Sequence, residues 1–235
     1  MAGTRKNVII SSSDNLHKNI HILGFRDYMR SVYSYLFLGL LCLSLSIYLF
    51  TTAFMKFYTF YYKFHLVISF APIFMLLFAR SVLDSFSVFW ANVYYFSLCF
   101  MIGLGFAPFA ISFRDVLLPA LLISSGMFLG MSVYGYCTSK DLTSLSGYVI
   151  CGSIGLFISV LAEWYFPQLS FINNIFGVGL SLIFIAYDTH NIKKFYYYGG
   201  DTEKHAIFGA LLLFVDFYNL LLFLLRILGS GKKRD

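Results

Sequence analysis

Few charged residues interrupt the apolar stretches of this 235-residue chain, and those few decide what chemistry it can do. Asp188 stands in FIAYDTHNIKKF (184–195), after an uncharged run that begins at Phe171. Asp216 lies near the middle of LLLFVDFYNLLLFLL (211–225), and Arg80 closes IFMLLFAR (73–80). Glu163, in AEWYF, ends an apolar run where water reaches it. A charge at membrane depth costs about 2.5–3.5 kcal/mol on insertion scales, so each is a functional candidate.

The two aspartates are related by a turn. GGDTE (199–203) carries two glycines to break one helix and Asp201 or Thr202 to cap the next. In an antiparallel hairpin, residues equidistant from the turn lie at one height. The midpoint of 188 and 216 is 202, so the two carboxyls are expected level with each other, roughly 20 Å from the turn at 1.5 Å rise per residue. The first helix of the pair must then run on through Lys193 and Lys194, which can snorkel to the surface. Neither aspartate can cheaply face lipid, and Asn219, one turn from Asp216, extends a polar stripe.

Two carboxylates at close range in low dielectric do not both stay charged easily, and the pair tends to hold a shared proton. Such a site responds to pH. Fully deprotonated, it offers hard oxygen ligands suited to Ca²⁺, for which protons compete. The alternative is a static lock, with Asp188 or Asp216 paired to Arg80.

The elements that position these residues follow from composition. The chain is 59% hydrophobic and 12% charged, with mean hydropathy +0.77; soluble domains average about 45–50% apolar and about 25% charged. Stretches near 32–54, 64–83, 87–110, 116–136, 144–164, 169–190 and 206–228 each approach the roughly 20 apolar residues needed to cross a bilayer. The expected fold is an all-α membrane protein, a seven-transmembrane helix bundle over 32–228. A polar tail (1–31), with SSSDN at 11–15 read as mobile, precedes it, and a basic tail (229–235) follows. Little chain remains for a soluble catalytic domain, and no enzyme activity is expected.

The net charge of +6 and pI near 9.1 do not point to nucleic acid, because the positive charges sort by side. With the N-terminus cytoplasmic, Arg5, Lys6, Lys18, Arg26, Arg30, Arg80, Lys140, Lys193, Lys194 and Lys204 fall inside. Lys56, Lys63 and Arg114 fall outside, and the C-terminal tail adds Arg226, Lys232, Lys233 and Arg234 there. The bias follows the positive-inside rule with N-in, C-out topology. FYTFYY (57–62) fits an interfacial aromatic belt. Cys42, Cys99, Cys137 and Cys151 show no metal or redox spacing and read as buried inert thiols; no cofactor is expected.

Rival motifs fail. A retinal protein needs a lysine in its last helix, and 206–228 contains none. An intramembrane serine protease wants GxSG and a helical histidine, whereas ISSG (123–126) lacks the first glycine. GLG (103–105) is a fragment of a nucleotide fingerprint without its phosphate loop. Gly126 and Gly130, in GMFLG, share a helix face suited to close packing, expected inside the bundle rather than at a dimer face.

YGYCTSKDLTSLSGYVICGSIGL (134–156), IAYDTHNIK (185–193) and ALLLFVDFYNLLLFLLRILG (210–229) resemble the bacterial branch of the Bax inhibitor-1, or transmembrane BAX-inhibitor-motif, family. The resemblance covers helices four to seven well and the first three by length and layout, with APIFMLL (71–77) a weaker echo. It implies a seven-helix bundle with the last helix central. It also implies a pH-governed calcium leak through paired aspartates matching Asp188 and Asp216, with Arg80 loosely matching a latch arginine. Ca²⁺ is then the transported ion rather than a resident metal, and H⁺ its competitor. Where relatives often carry Gln, this chain has His190. A two-residue step is about 200° of helix, which points His190 away from the partner of Asp188, either as an interfacial histidine or as a second proton site. Two other functions stay open: modulation of another membrane protein, such as a protease or stress-response partner, and Ca²⁺/H⁺ exchange. The expected location is a bacterial inner membrane; oligomeric state is not set by the sequence.

Overall fold

In a bilayer no water satisfies backbone groups, so long apolar runs such as these are forced into helices. The computed structural model describes residues 2–196 and 202–232, all helical apart from short connections. The elements are α1 (Ala2–Ser85), α2 (Val88–Ser112), α3 (Arg114–Cys137), a 3₁₀ turn (Leu142–Leu145), α4 (Ser146–Ala162), α5 (Leu169–Phe195) and α6 (Thr202–Lys232). Among the described residues, six segments are long and apolar enough to cross a membrane: Gly24–Thr52, Val88–Ser112, Arg114–Cys137, Leu142–Ala162, Leu169–Phe195 and Glu203–Ser230. The stretch expected at 64–83 contributes a shorter apolar run, Phe70–Leu83.

α1 doubles back on itself. A methyl group added at Gly103 of α2 would meet Leu43 and Ser46, and one at Gly105 would come 3.9 Å from the Ile68 carbonyl. In a straight helix Ser46 and Ile68 stand about 33 Å apart, 22 residues at 1.5 Å each. They cannot both lie beside neighbouring glycines unless the chain reverses between them. The rings of Phe50 and Tyr61, 4.8 Å apart, meet near that reversal. Further along α2, the Tyr95 hydroxyl donates to the Tyr35 carbonyl at 2.8 Å, while Tyr94 donates to the Met75 carbonyl. α2 thus lies along both arms of α1.

Several boundaries differ from expectation. The first apolar segment begins at Gly24 rather than 32, because Tyr28, Met29 and Val32 are buried in the core and the Tyr28 hydroxyl donates to the Ile192 carbonyl at 3.3 Å. α1 is helical from Ala2, so the SSSDN segment is part of a helix and not an irregular tail. Apart from Tyr61, the FYTFYY belt lies outside the described side chains, as does most of the GGDTE turn.

α6 is the most deeply packed segment. It touches α1, α2, α3 and α5, and its buried residues (Ala206, Ile207, Ala210, Leu213, Phe214, Leu220) share one broad face of the helix. α4 is its opposite, packed on α5 and the 3₁₀ turn while Tyr148, Ile154, Phe157 and Ile158 face outward.

Candidate functional site

Gly135 of α3 explains how closely the helices meet around Asp188. A Cβ there would stand 2.4 Å from the Ala186 carbonyl oxygen and 3.0 Å from the Ala186 Cα, so only glycine lets α3 approach α5 at this level. On α5, Ile185 and Ile192 are fully buried and Asp188 lies between them, half-buried. On α6, Asp216 is 5% exposed between the buried Leu213 and Leu220.

The two carboxyls meet within hydrogen-bonding reach of each other. Their expected common height is therefore realised, and the rotation that sequence could not supply turns them face to face. The Oδ2 atom of Asp216 is buried and makes no hydrogen bond among the described residues. Buried polar atoms are nearly always paired, so an open carboxyl oxygen here is an exception. Two carboxylates supply at most four oxygens, fewer than the 6–8 that Ca²⁺ takes. Among the described residues no cluster of three or more His, Cys, Asp or Glu could hold a metal.

Arg80 stands apart from the carboxyl contact. Its side chain is exposed on α1 and lines a cavity of about 710 Å³, shared with Tyr187 and Asn191 from the turns flanking Asp188.

His190 turns toward Asp141, just past the end of α3, and is buried. It is 7% exposed, neither ring nitrogen forms a hydrogen bond among the described residues, and Nε2 lies 3.6 Å from Asp141 Oδ1. Asp141 is the residue that sequence reasoning passed over. Its Oδ1 accepts from the Thr143 amide (3.1 Å), the Thr143 hydroxyl (2.7 Å) and Lys194 Nζ (2.9 Å). These bonds, those of Thr143 first and that of Lys194 next, hold the Asp141 carboxyl well below the usual carboxylate range. An acid two residues before a threonine at a helix start is the signal that was available.

The lysines do more than snorkel. Lys193 Nζ donates to the Tyr136 carbonyl at 2.8 Å and the Thr138 carbonyl at 3.4 Å, capping the C-terminal end of α3. Lys194 holds Asp141. The C-terminal turn of α5 is thereby fastened to the connection between α3 and α4. At the other end, Asn173 Nδ2 donates to Glu163 Oε1 at 3.1 Å, so Glu163 is engaged in a helix contact and is not simply solvated.

Two packing expectations are corrected. Gly126 and Gly130 are exposed, with no atom within 4 Å of where a Cβ would stand, so this face points outward and not into the bundle. Gly135, five residues further on, makes the internal contact instead. Of the cysteines, Cys99 is buried and Cys42 half-buried, but Cys137 and Cys151 are exposed on outward faces.

The family described as "Inhibitor of apoptosis-promoting Bax1" matches residues 25–233. The chain belongs to the Bax inhibitor-1 family. A relative from Rickettsia prowazekii, "Uncharacterized protein RP147", is 32% identical over 217 residues, covering 89% of this chain and 92% of that one. "Inner membrane protein YbhL" of Escherichia coli is 33% identical over 125 residues, 47% of this chain and 50% of the relative. "Bax inhibitor 1" of Schizosaccharomyces pombe is 28% identical over 123 residues, 51% of this chain and 44% of that protein. The matched family region takes in every residue of the carboxyl pair, the Asp141 anchor and Arg80. None of these Bax inhibitor-1 relatives carries an enzymatic name.

Proposed function

We propose that this Bax inhibitor-1 protein is a pH-sensitive calcium-leak channel, gated by Asp188 and Asp216, and not an enzyme. The observation that supports it best is the pair itself: two carboxyls in contact in an apolar interior, with Asp216 Oδ2 left without a hydrogen bond. A protonated pair shares its proton and locks α5 to α6. A deprotonated pair repels itself and attracts a divalent cation. Protons and Ca²⁺ then compete for the same oxygens, which couples flux to pH. Arg80, behind Tyr187 and Asn191, acts on the pair through its field rather than by contact, and His190 tunes the neighbouring loop.

The finer architecture belongs to the same proposal: seven crossings, the short Phe70–Leu83 run being the second, with the last helix at the centre. The membrane is a bacterial inner membrane, in keeping with the name of the E. coli relative, with the N-terminus inside and the C-terminus outside.

A second reading is a non-transporting protein that modulates a membrane partner. It is favoured by the outward face at Gly126 and Gly130, which a foreign helix can approach closely. Purified protein in liposomes loaded with a calcium dye separates these readings. The channel passes Ca²⁺ in a pH-dependent way, and Asp188→Asn or Asp216→Asn changes that dependence. An exchanger moves protons stoichiometrically in the opposite direction. A modulator passes nothing and co-purifies with its target.

A further inference from the structure

The face of α5 that meets α6 carries polar residues beyond Asp188. Asn174, Ser181 and Asp188 recur every seven residues, and seven residues turn a helix by about 700°, close to two full turns, and raise it by about 10.5 Å. The three therefore form one stripe. Contacts fix its direction: Asp188 meets Asp216, and at Gly177, on the same face, an added Cβ would stand 2.6 Å from the Phe223 ring of α6. Other faces of α5 serve other helices. Asn173 bonds Ser159 and Glu163, and Leu180 lies against Gly152 of α4, whereas Ala186 and Thr189 back Gly135 of α3.

Two members of the stripe are buried polar side chains with oxygen to spare. Asn174 is 1% exposed, and its Oδ1 makes no hydrogen bond among the described residues. Ser181 donates to the Gly177 carbonyl at 2.8 Å, which commits its proton and leaves its oxygen able to accept. Four residues toward the turn from the Gly177–Phe223 contact, on each helix, bring Ser181 and Asn219 to one level, between Phe223 and the aspartates. Fully buried Ile185 borders the stripe between Ser181 and Asp188. The Phe223 ring thus separates Asn174 from the Ser181, Asn219 and aspartate groups. Arg226, near the level of Asn174, is turned onto the Phe109 ring of α2, 5.8 Å from its centroid.

Amide and carboxylate oxygens are both hard ligands of the kind Ca²⁺ takes, and apolar constrictions close narrow polar paths by excluding water. We infer that the α5–α6 seam, on the side of the aspartate pair away from the turn, is half of a cation path. In it Asn174 Oδ1 ligates a partly hydrated divalent cation, and Phe223, seated on Gly177, is the barrier between that ligand and the pair. The inference rests on the calcium-leak reading and adds to it a ligand and a stop that the carboxyl pair does not supply.

The test uses full-length protein in dye-loaded liposomes at the pH of greatest wild-type flux. Phe223→Ala removes the ring and is expected to raise the Ca²⁺ rate about tenfold or more, whereas Phe223→Leu stays within about twofold of wild type. Asn174→Leu lowers the rate about fivefold or more, and Asn174→Asp, which keeps an oxygen ligand, does not. Adding Asn174→Leu to Phe223→Ala brings the raised rate down again, which a leak from misfolded protein would not do. A wild-type rate in Phe223→Ala or in Asn174→Leu, an equal loss in Asn174→Asp, or a raised rate that Asn174→Leu leaves untouched overturns the inference. The channel reading survives that result so long as wild type conducts and Asp216→Asn alters its pH profile. No Ca²⁺ flux from wild type or any variant sinks both.

Discussion

An aspartate such as Asp216, enclosed by leucines and phenylalanines, is costly to the fold, and a second carboxyl in contact with it does not offset that cost. A residue kept at such a position is a candidate for function at the expense of stability. Replacing Asp216 by Asn retains the shape and removes the ionisable group. Asp216→Asn is expected to unfold at the same temperature as wild type or higher, a gain of up to about 1–2 kcal/mol by analogy with removed buried charges, while losing pH-dependent flux. A clear fall in the melting temperature, measured in detergent at neutral pH, contradicts that assignment. Asp141 behaves differently. Its folded carboxyl titrates below the unfolded value, about 3.9, so its bonds add stability above that value and lose it only as pH falls further, through the folded pKa. Across pH 5–8 the anchor therefore holds. Hydrogen-exchange protection of residues 138–145 should not fall between pH 8 and pH 5 in wild type, and should be lower throughout that range in Asp141→Asn. A wild-type loss of protection on going from pH 7 to pH 5 would show that another group holds this loop.

At the scale of elements, glycine positions separate internal contacts from outward faces. Gly135→Ala drives a methyl into the Ala186 backbone, which cannot give way as a flexible side chain can. It should destabilise by about 1–3 kcal/mol, as overpacking does. It should also disturb flux, because α5 carries Asp188 one half-turn beyond. Gly130→Ala meets open space and should be neutral or stabilising by up to about 1 kcal/mol through helix propensity. Thermal melts of the two variants check both, and equal losses would place Gly130 in a contact that the structure does not contain. The sequence disclosed heights better than faces. The 202 midpoint put Asp188 level with Asp216 because helical rise is fixed per residue. Which way Gly126 and Gly130 faced depended on helix rotation, set by partners far along the chain. The same limit hid the Lys193 contact with the Tyr136 carbonyl. That lysine's charge was plain in the sequence, but its acceptor, 57 residues away, was not.

For the molecule as a whole, membrane embedding was legible from hydropathy alone, since chain chemistry fixes it residue by residue. The course of α1 was less so: six segments meet the length for a crossing, and the fold-back between Ser46 and Ile68 emerges only from what α2 touches. The resulting bundle buries Asp216 of α6 and puts Asp188 on α5. Ca²⁺ flux into dye-loaded liposomes, recorded between pH 5 and pH 8 for wild type, Asp188→Asn and Asp216→Asn, tests the central claim most directly. The account predicts a wild-type flux that changes with pH by about tenfold or more, the equivalent of about 1.4 kcal/mol, and a flat profile in both variants. No wild-type flux at any pH, or an unchanged pH profile in both variants, would contradict it.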